Sequence, residues 1–381
     1  MKDQVAIVGI GETSFGKGFT ESELELGCSA IRNALQDAGI AAGEVDGVAC
    51  YTMEETPEFE YARNLGFGDL SFFSRVHYGG GAGCGIVGQA AMAIATGQAN
   101  VAVVWRARKR SGKASRVWAQ TPPRLNNHWK WSQPWGLLRP VDEVALLARR
   151  YFHDHGASRD TLGHIAVTLR NHALNNPRAM MHNRPLSLAE YQAARMISDP
   201  LCLFDNCLES DGAVAVVLAR RDHAQDCRQR PAYIHAWSQG LARGQQNMPD
   251  VFGADPFASA SAVAARKLWQ GSDIGPADIQ VAQIYDAFSP LILFSLEAYG
   301  LCGRGEAAAF VESGGIAVNG GRLPVNTAGG SLSEAYIHGF NLITEGVRQL
   351  RGTAQNQVAG AATCLVTSCD ATPTSALLLR N

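Results

Sequence analysis

Four glycines in five positions (Gly79, Gly80, Gly81 and Gly83) sit in the stretch His77-Tyr78-Gly79-Gly80-Gly81-Ala82-Gly83-Cys84. Glycine lets a backbone turn tightly and approach a neighbour closely. The run behind it, from Gly85 to Thr96, is dominated by Ala, Ile, Val and Met, and reads as a helix buried on every face. Gly97 can end that helix, and 101–105 follows as a buried strand. A glycine loop heading a buried helix aims backbone N–H groups into the protein, where they can stabilise an anion or an oxyanion. A packing joint that simply needs small residues explains the same stretch, and from these residues alone it is the better reading.

Other chemistry-bearing residues are less organised. Nine cysteines are scattered at 28, 50, 84, 202, 207, 227, 302, 364 and 369. None forms a Cys-x-x-Cys pair and the number is odd, which argues against a disulfide scaffold and a zinc site and fits a reducing cytoplasm. The ten histidines show no His-Glu-x-x-His pattern, so no metal site is expected. A basic run at 106–116 holds Arg106, Arg108, Lys109, Arg110, Lys113 and Arg116. It reads equally as a solvated loop and as a phosphate-binding edge.

The 381 residues suffice for two similar domains or one composite core. A net charge of −2 gives no electrostatic case for nucleic acid or an anionic membrane surface. No apolar run approaches the ~20 residues of a membrane span. No signal peptide is read, because the chain goes straight into a strand at 5–9, and a cytoplasmic location is expected.

Strands at 5–11, 45–51 and 101–105 alternate with helical patterns at 21–38 and 85–96, which implies an α/β fold with a largely parallel sheet. From 106 to 140 the pattern breaks into a basic, Trp-rich segment, read as a long functional loop. Helices are predicted at 141–155, 158–175, 188–196, 257–270, 290–299 and 335–350. Strands are predicted at 211–220, 230–240, 279–285, 358–369 and 375–379. Two stretches recur. ALQDAGIAAGEVDGVACY (34–51) resembles KLWQGSDIGPADIQVAQIY (267–285), and AMAIATGQANVAVVW (91–105) resembles LRGTAQNQVAGAATCLV (350–366). Each half also carries a glycine loop, 79–83 and 328–330, expected to precede its inner helix. Such self-similarity marks a duplicated fold. One half is placed at 1–221, with a loop and helical insertion at about 106–210, and the other at 230–381.

With IYDAFSPLILFSLEAYGLCGRGEAAAFV (284–311) and PVNTAGGSLSEAYIHG (324–339), the order of elements resembles the thiolase superfamily over nearly the whole chain. It is most similar to the sterol-carrier-protein-type, thiolase-like members. The resemblance implies a duplicated five-layer αβαβα fold, a coenzyme A thioester substrate and a homodimer. Thiolases use a nucleophilic cysteine at the head of the central helix, an Asn or His opening a motif that closes with Phe, a histidine in a Gly-His-Pro loop, and a second cysteine as acid/base. Counting back from Ile94 and Gly97, the nucleophile's position holds Gly80. Tyr285 opens the Tyr285-Asp286-Ala287-Phe288 motif. Tyr336 holds the histidine position in Glu334-Ala335-Tyr336-Ile337-His338. Only Cys369 keeps the family's residue type, and Cys84 lies one helical turn past the nucleophile's place and is expected to pack.

This pattern resembles the thiolase-like retro-aldolases of bacterial steroid side-chain degradation. The resemblance implies cleavage of a β-hydroxyacyl-CoA into a ketone and a shorter acyl-CoA, such as propionyl-CoA or acetyl-CoA, without a covalent acyl-enzyme. It also implies a small zinc-ribbon/OB-fold acyl-CoA-binding partner. This chain itself is expected to bind no cofactor, its substrate carrying coenzyme A. Tyr285 and Tyr336 are the candidate base and acid, unassigned between them, and each also reads as filling space left by a lost side chain. Gly80, Gly81 and Ala82 are candidates to hold the enolate. His338 reads as a tuner of Tyr336 or as a core histidine, and Cys369 as a proton donor or a relic. Asp286 reads as positioning a water or, preferably, capping the helix that starts at Pro290. Gly329 and Gly330 are candidate substrate contacts. A non-catalytic lipid-binding protein and a Claisen-type thiolase using Cys84 or Cys369 are the alternatives.

Overall fold

The computed structural model of the protein describes residues 1–51, 53, 56–110, 129–245, 256–257, 259–370 and 373–381. Its strands are β1 (Val5–Glu12), β2 (Gly47–Tyr51), β3 (Phe72–Val76), β4 (Val101–Lys109), β5 (Met196–Ser198), β6 (Leu201–Cys202), β7 (Asp211–Arg220), β8 (Ala232–Gly240), β9 (Val281–Gln283), β10 (Thr363–Thr367) and β11 (Thr374–Arg380). Nine join in the order β3-β2-β4-β7-β1-β8-β11-β10-β9, and β5 with β6 forms a separate ribbon.

That order contains a repeat. In β3-β2-β4-β7-β1 the two outer strands run parallel to β4, and β7 lies antiparallel between β4 and β1. The second set reads the same way. There β9 is parallel to β10, β11 is antiparallel between β10 and β8, and a parallel bridge from Ala282 to Val325 stands in the outermost place. The first strands of the two sets, β1 and β8, meet antiparallel at Ala6–Tyr233 and Ile7–Ala232.

The helix Glu23–Ala38 packs on β1, β4 and β7, and the helix Ala260–Gln270 on β8 and β11. The first of these starts at a capping box, with Ser22 and Glu25 each satisfying the other's backbone N–H, and ends at Gly39. The helices Gly83–Ala95 and Phe340–Arg351 each touch strands of both sets. Two outer helical layers, the two strand sets of the nine-stranded sheet and a central helical pair make the five-layer αβαβα arrangement. Both sequence recurrences fall on matching steps, from outer helix to second strand and from inner helix to fourth strand.

Several expectations need correction. The strand expected at 101–105 continues to Lys109, so Arg106 and Arg108 are buried strand residues and not part of a solvated loop. Of the rest of the predicted 106–140 loop, 111–128 lies outside the described residues, while short turns occupy Trp129–Ser132 and Gln133–Trp135. The helix expected at 335–350 starts only at Phe340, because His338 (φ 57°) and Gly339 (φ 78°) are left-handed and break it. Gly329 therefore heads a separate one-turn helix, Gly330–Ser333, and not the inner helix. The helix expected at 188–196 stops at Gln192 and gives way to β5, and the strand expected at 358–369 is confined to β10. The inner helix is not buried on every face either, since Met92 is exposed. No helix among the described residues is long and apolar enough to cross a membrane.

Candidate active site

Tyr285 lies two residues past β9, where its backbone N–H donates to Thr367 Oγ1 on β10 (3.2 Å). Tyr336 sits in the loop between the one-turn helix and the inner helix, and its N–H donates to Ser210 Oγ (3.0 Å). The segment between β4 and β7 fixes this loop from outside. Met180 N–H donates to the Glu334 carbonyl, Asn176 Nδ2 to the Glu334 carboxyl, and Arg170 Nε to Ser333 Oγ.

The two phenols, 51 residues apart, meet at 2.7 Å between hydroxyl oxygens, with the rings close to perpendicular at 76°. Beneath them runs the glycine turn Gly79–Ala82, in which Gly80, Gly81 and Ala82 are buried. A Cβ at residue 80 would lie 2.2 Å from the Tyr285 hydroxyl oxygen and 2.6 Å from its ring carbon Cζ. Where the family's nucleophile would project, this chain has a phenol. The turn is pinned by Cys369 N–H to the Gly80 carbonyl (3.2 Å) and by Ser375 Oγ to the Gly81 carbonyl. Cys369 thus lies at the turn, and it acts electrostatically on both tyrosines.

His338 stacks edge-on to Tyr336 at 5.6 Å, and its carbonyl accepts from the Tyr51 hydroxyl (2.9 Å). Burial, then the charges of Arg108, Arg106 and Arg110, hold its imidazole well below its ordinary pKa, so it is neutral at physiological pH. Burial pushes both phenols above their ordinary range. For Tyr285 the neighbouring Tyr336 adds to the rise. For Tyr336 Cys207 adds to it, while Arg108 and the hydrogen bond from Tyr285 pull the other way. The Cys84 thiol, which donates to the Val366 carbonyl (3.5 Å), is pushed up to about 12 by burial, so it is a packed, protonated thiol. The backbone N–H groups of Cys84 and Gly85 are taken by Ser368 and Ser375 hydroxyls.

Three expected residues turn away from the phenols. Asp286 does cap a helix, but not the one starting at Pro290. Its carboxylate accepts from Ser331 N–H (2.8 Å) and Leu332 N–H (3.2 Å) of the one-turn helix, and burial raises it to about 6. Gly330 packs against that carboxylate and Gly329 against Ala173, both with positive φ and both buried. They brace the Tyr336 loop. Glu334, two residues before Tyr336, is raised to about 8 by burial and then by Glu12 and Glu345, and accepts from Asn341 Nδ2 (2.8 Å). A surface cleft of about 770 Å³, lined in part by Glu12, Asp37, Arg178 and Arg348, reaches neither phenol.

Sequence reasoning missed Arg108, Cys207 and Ser210 as neighbours of the phenol pair. Arg108 is 2% exposed with its guanidinium carbon 4.8 Å from the Tyr336 ring centroid. The signal was present in the i, i+2 phase of β4, which carries Arg106 and Arg108 onto one face.

A family model described as "Thiolase, N-terminal domain" matches residues 5–186, and one described as "Thiolase C-terminal domain-like" matches 244–379. A "17-hydroxy-3-oxo-4-pregnene-20-carboxyl-CoA lyase" of Mycobacterium tuberculosis is 45% identical over 392 residues, with both chains fully covered. The chain belongs to the thiolase family. A "steroid side-chain-cleaving aldolase" of Thermomonospora curvata is 44% identical over 98% of this thiolase-fold chain and 97% of that one. A solved structure titled "Ltp2-ChsH2(DUF35) aldolase" superposes with a TM-score of 0.94 at 43% identity, covering 100% of this chain and 98% of that one. A monomeric SCP2-thiolase-like protein from Mycobacterium smegmatis shares the fold at 18% identity, with a TM-score of 0.75, covering 100% of this chain and 78% of that one.

Proposed function

We infer that the protein is a thiolase-fold retro-aldolase that cleaves the Cα–Cβ bond of a β-hydroxyacyl-CoA, with a steroid side-chain thioester as substrate. The observation that carries this is the Tyr285 phenol standing in the nucleophile's space and hydrogen-bonded to Tyr336. An acyl-enzyme has nowhere to form at residue 80, while two phenols in contact supply the two proton transfers that a retro-aldol reaction requires.

One phenol, ionised, takes the β-hydroxyl proton. The Cα–Cβ bond breaks, the β-carbon becomes the ketone, and the electron pair moves into the thioester as an enolate. The second phenol then gives a proton to Cα. It recovers one from the first across the 2.7 Å contact, so no proton is gained or lost over the cycle. Backbone N–H groups of Gly80, Gly81 and Ala82 are the candidate enolate donors, and Cys369 borders the same space. The name of the M. tuberculosis relative indicates the probe substrate. In a 17-hydroxy-20-carboxyl thioester the hydroxyl is β to the carbonyl, so cleavage yields a 17-ketone and propionyl-CoA. Thiolytic cleavage needs free coenzyme A and a retro-aldol does not. Incubation without added coenzyme A should therefore give ketone and propionyl-CoA in equal amounts. Dependence on added coenzyme A would reverse the reading.

The solved aldolase relative is titled as a complex with ChsH2(DUF35), which supports a heteromeric partner here. We assign that partner the role of a small zinc-ribbon/OB-fold subunit that holds the acyl-CoA. A homodimer is supported by β3, an edge strand in the sheet order, and by Phe73 (70% exposed) on it. Sedimentation at micromolar concentration should show a species with two copies of this chain, and a single-copy species would refute the dimer.

A further inference from the structure

The reaction above leaves a buried cation beside one of its two phenols without a task. Arg108, near the end of β4, points inward on the same face as Arg106. Its guanidinium lies over the Tyr336 ring at 4.8 Å, whereas that of Arg106 lies over Tyr51 at 5.7 Å. Among the described residues Arg108 has no carboxylate partner, and its Nε and Nη1 have no hydrogen-bond acceptor. A guanidinium taken from water is normally paired and hydrogen-bonded. Tyr285, the other half of the pair, has no cation over its ring among the described residues.

We propose that Arg108 sets the roles within the pair, stabilising a phenolate on Tyr336 so that Tyr336 is the base and Tyr285 is the group that returns a proton to Cα. The other groups acting on Tyr336 include Tyr285, Cys207, Cys369 and the Tyr51 phenol, with the neutral ring of His338 edge-on. Both thiols oppose ionisation of Tyr336, whereas Arg108 and the hydrogen bond from Tyr285 favour it. The contact is face-on, and the π density of a phenol ring rises when its hydroxyl ionises, so the same geometry attracts the phenolate more strongly than the phenol. Arg108 acts through Tyr336 and is a positioning residue for the reaction. In the cycle it offsets the one negative charge on the base. When Tyr336 takes the substrate proton that charge passes to the enolate, and when Tyr285 hands back its deficit the charge returns to Tyr336.

The assignment rests on the retro-aldol reading, but its test does not need turnover. A fluorinated tyrosine that ionises near neutrality, incorporated at position 336 or at position 285 of the full chain, reports its own ionisation by fluorine NMR. The probe at 336 should ionise at lower pH than the probe at 285, a comparison that requires no change at Arg108. Arg108→Met should then raise the ionisation at 336 by about one to three pH units, and Arg108→Lys, which keeps the charge, should raise it less. In the cleavage assay Arg108→Met should lower kcat with KM little changed, and Arg108→Lys should restore part of the loss. If the probe at 285 ionises first, or Arg108→Met leaves the 336 titration in place, the role assignment is wrong even where cleavage occurs. If the ionisation order holds but the unmodified protein does not cleave the thioester, the retro-aldol reading has failed and the electrostatic assignment stands.

Discussion

Replacing either Tyr285 or Tyr336 with phenylalanine should lower kcat for thioester cleavage by roughly 10²–10⁴-fold, the range for a lost general acid or base. Phenylalanine keeps the ring and removes only the hydroxyl. Because the two hydroxyls touch each other, each variant breaks one buried hydrogen bond and leaves its partner without it. The double replacement should be little slower than the worse single one, since the two act as a unit. Steady-state cleavage measured with and without the partner subunit reads this directly. The pH profile supplies an independent check. Burial holds both phenols above their ordinary value of about 10, so the ionised fraction is small at neutral pH and grows with each unit. The wild-type kcat/KM should therefore climb across roughly pH 7–9, a limb that loss of the base, as in Tyr336→Phe, abolishes. Near-normal turnover in both variants would show that the tyrosines only fill space.

The second large effect is expected at residue 80. Restoring the family's nucleophile as Gly80→Cys places a Cβ 2.2 Å from the Tyr285 hydroxyl oxygen, far inside contact distance. The ring is closely held elsewhere too, because Gly339 also packs against it. A Cβ at 339 would fall 2.4 Å from Tyr285 Cδ2. Overpacking of a close-packed interior typically costs about 1–3 kcal/mol, and the strain falls on the phenol pair. Both Gly80→Cys and Gly80→Ala should lower the melting temperature and reduce kcat by at least about 100-fold, the lower end of losing the dyad. Calorimetry and the cleavage assay on the same preparations test this. A Gly80→Cys protein with native stability and turnover would show that the turn and the phenol are not in competition.

How much of this was legible depended on whether a feature is local. The duplicated architecture was, because outer helix to second strand and inner helix to fourth strand recur as readable strings. Tyr285 and Tyr336 were legible as departures from family motifs. Their contact was not. It requires Gly80 and Gly339, 259 residues apart, to leave the same ring room at once. Arg108 was missed because an arginine-rich run normally ends a buried strand. Here β7 carries β4 on to Lys109 through the pairing of Arg108 with Gly212 and Lys109 with Asp211. The break at 334–339 was missed because the helical spacing of apolar residues runs straight through it. Gly339 hinted at a left-handed backbone, and His338 adopts one with only the weak signal of a residue type modestly enriched there. Asp286 was correctly typed as a cap but given to the wrong helix, since the Ser331 and Leu332 N–H groups it accepts from are 45 and 46 residues on. Sequence proximity favoured Pro290, and the fold brought the other helix closer.

The central claim is that carbon–carbon cleavage proceeds here without an acyl-enzyme. Intact-mass measurement of the protein, quenched during turnover of the hydroxy-steroid thioester and again after incubation with propionyl-CoA, addresses it most directly. The account predicts the unmodified mass at every time point while ketone and propionyl-CoA accumulate. A stoichiometric acyl adduct, mapped to Cys84 or Cys369 and formed and lost at the rate of turnover, would contradict it and return the protein to thiolase chemistry.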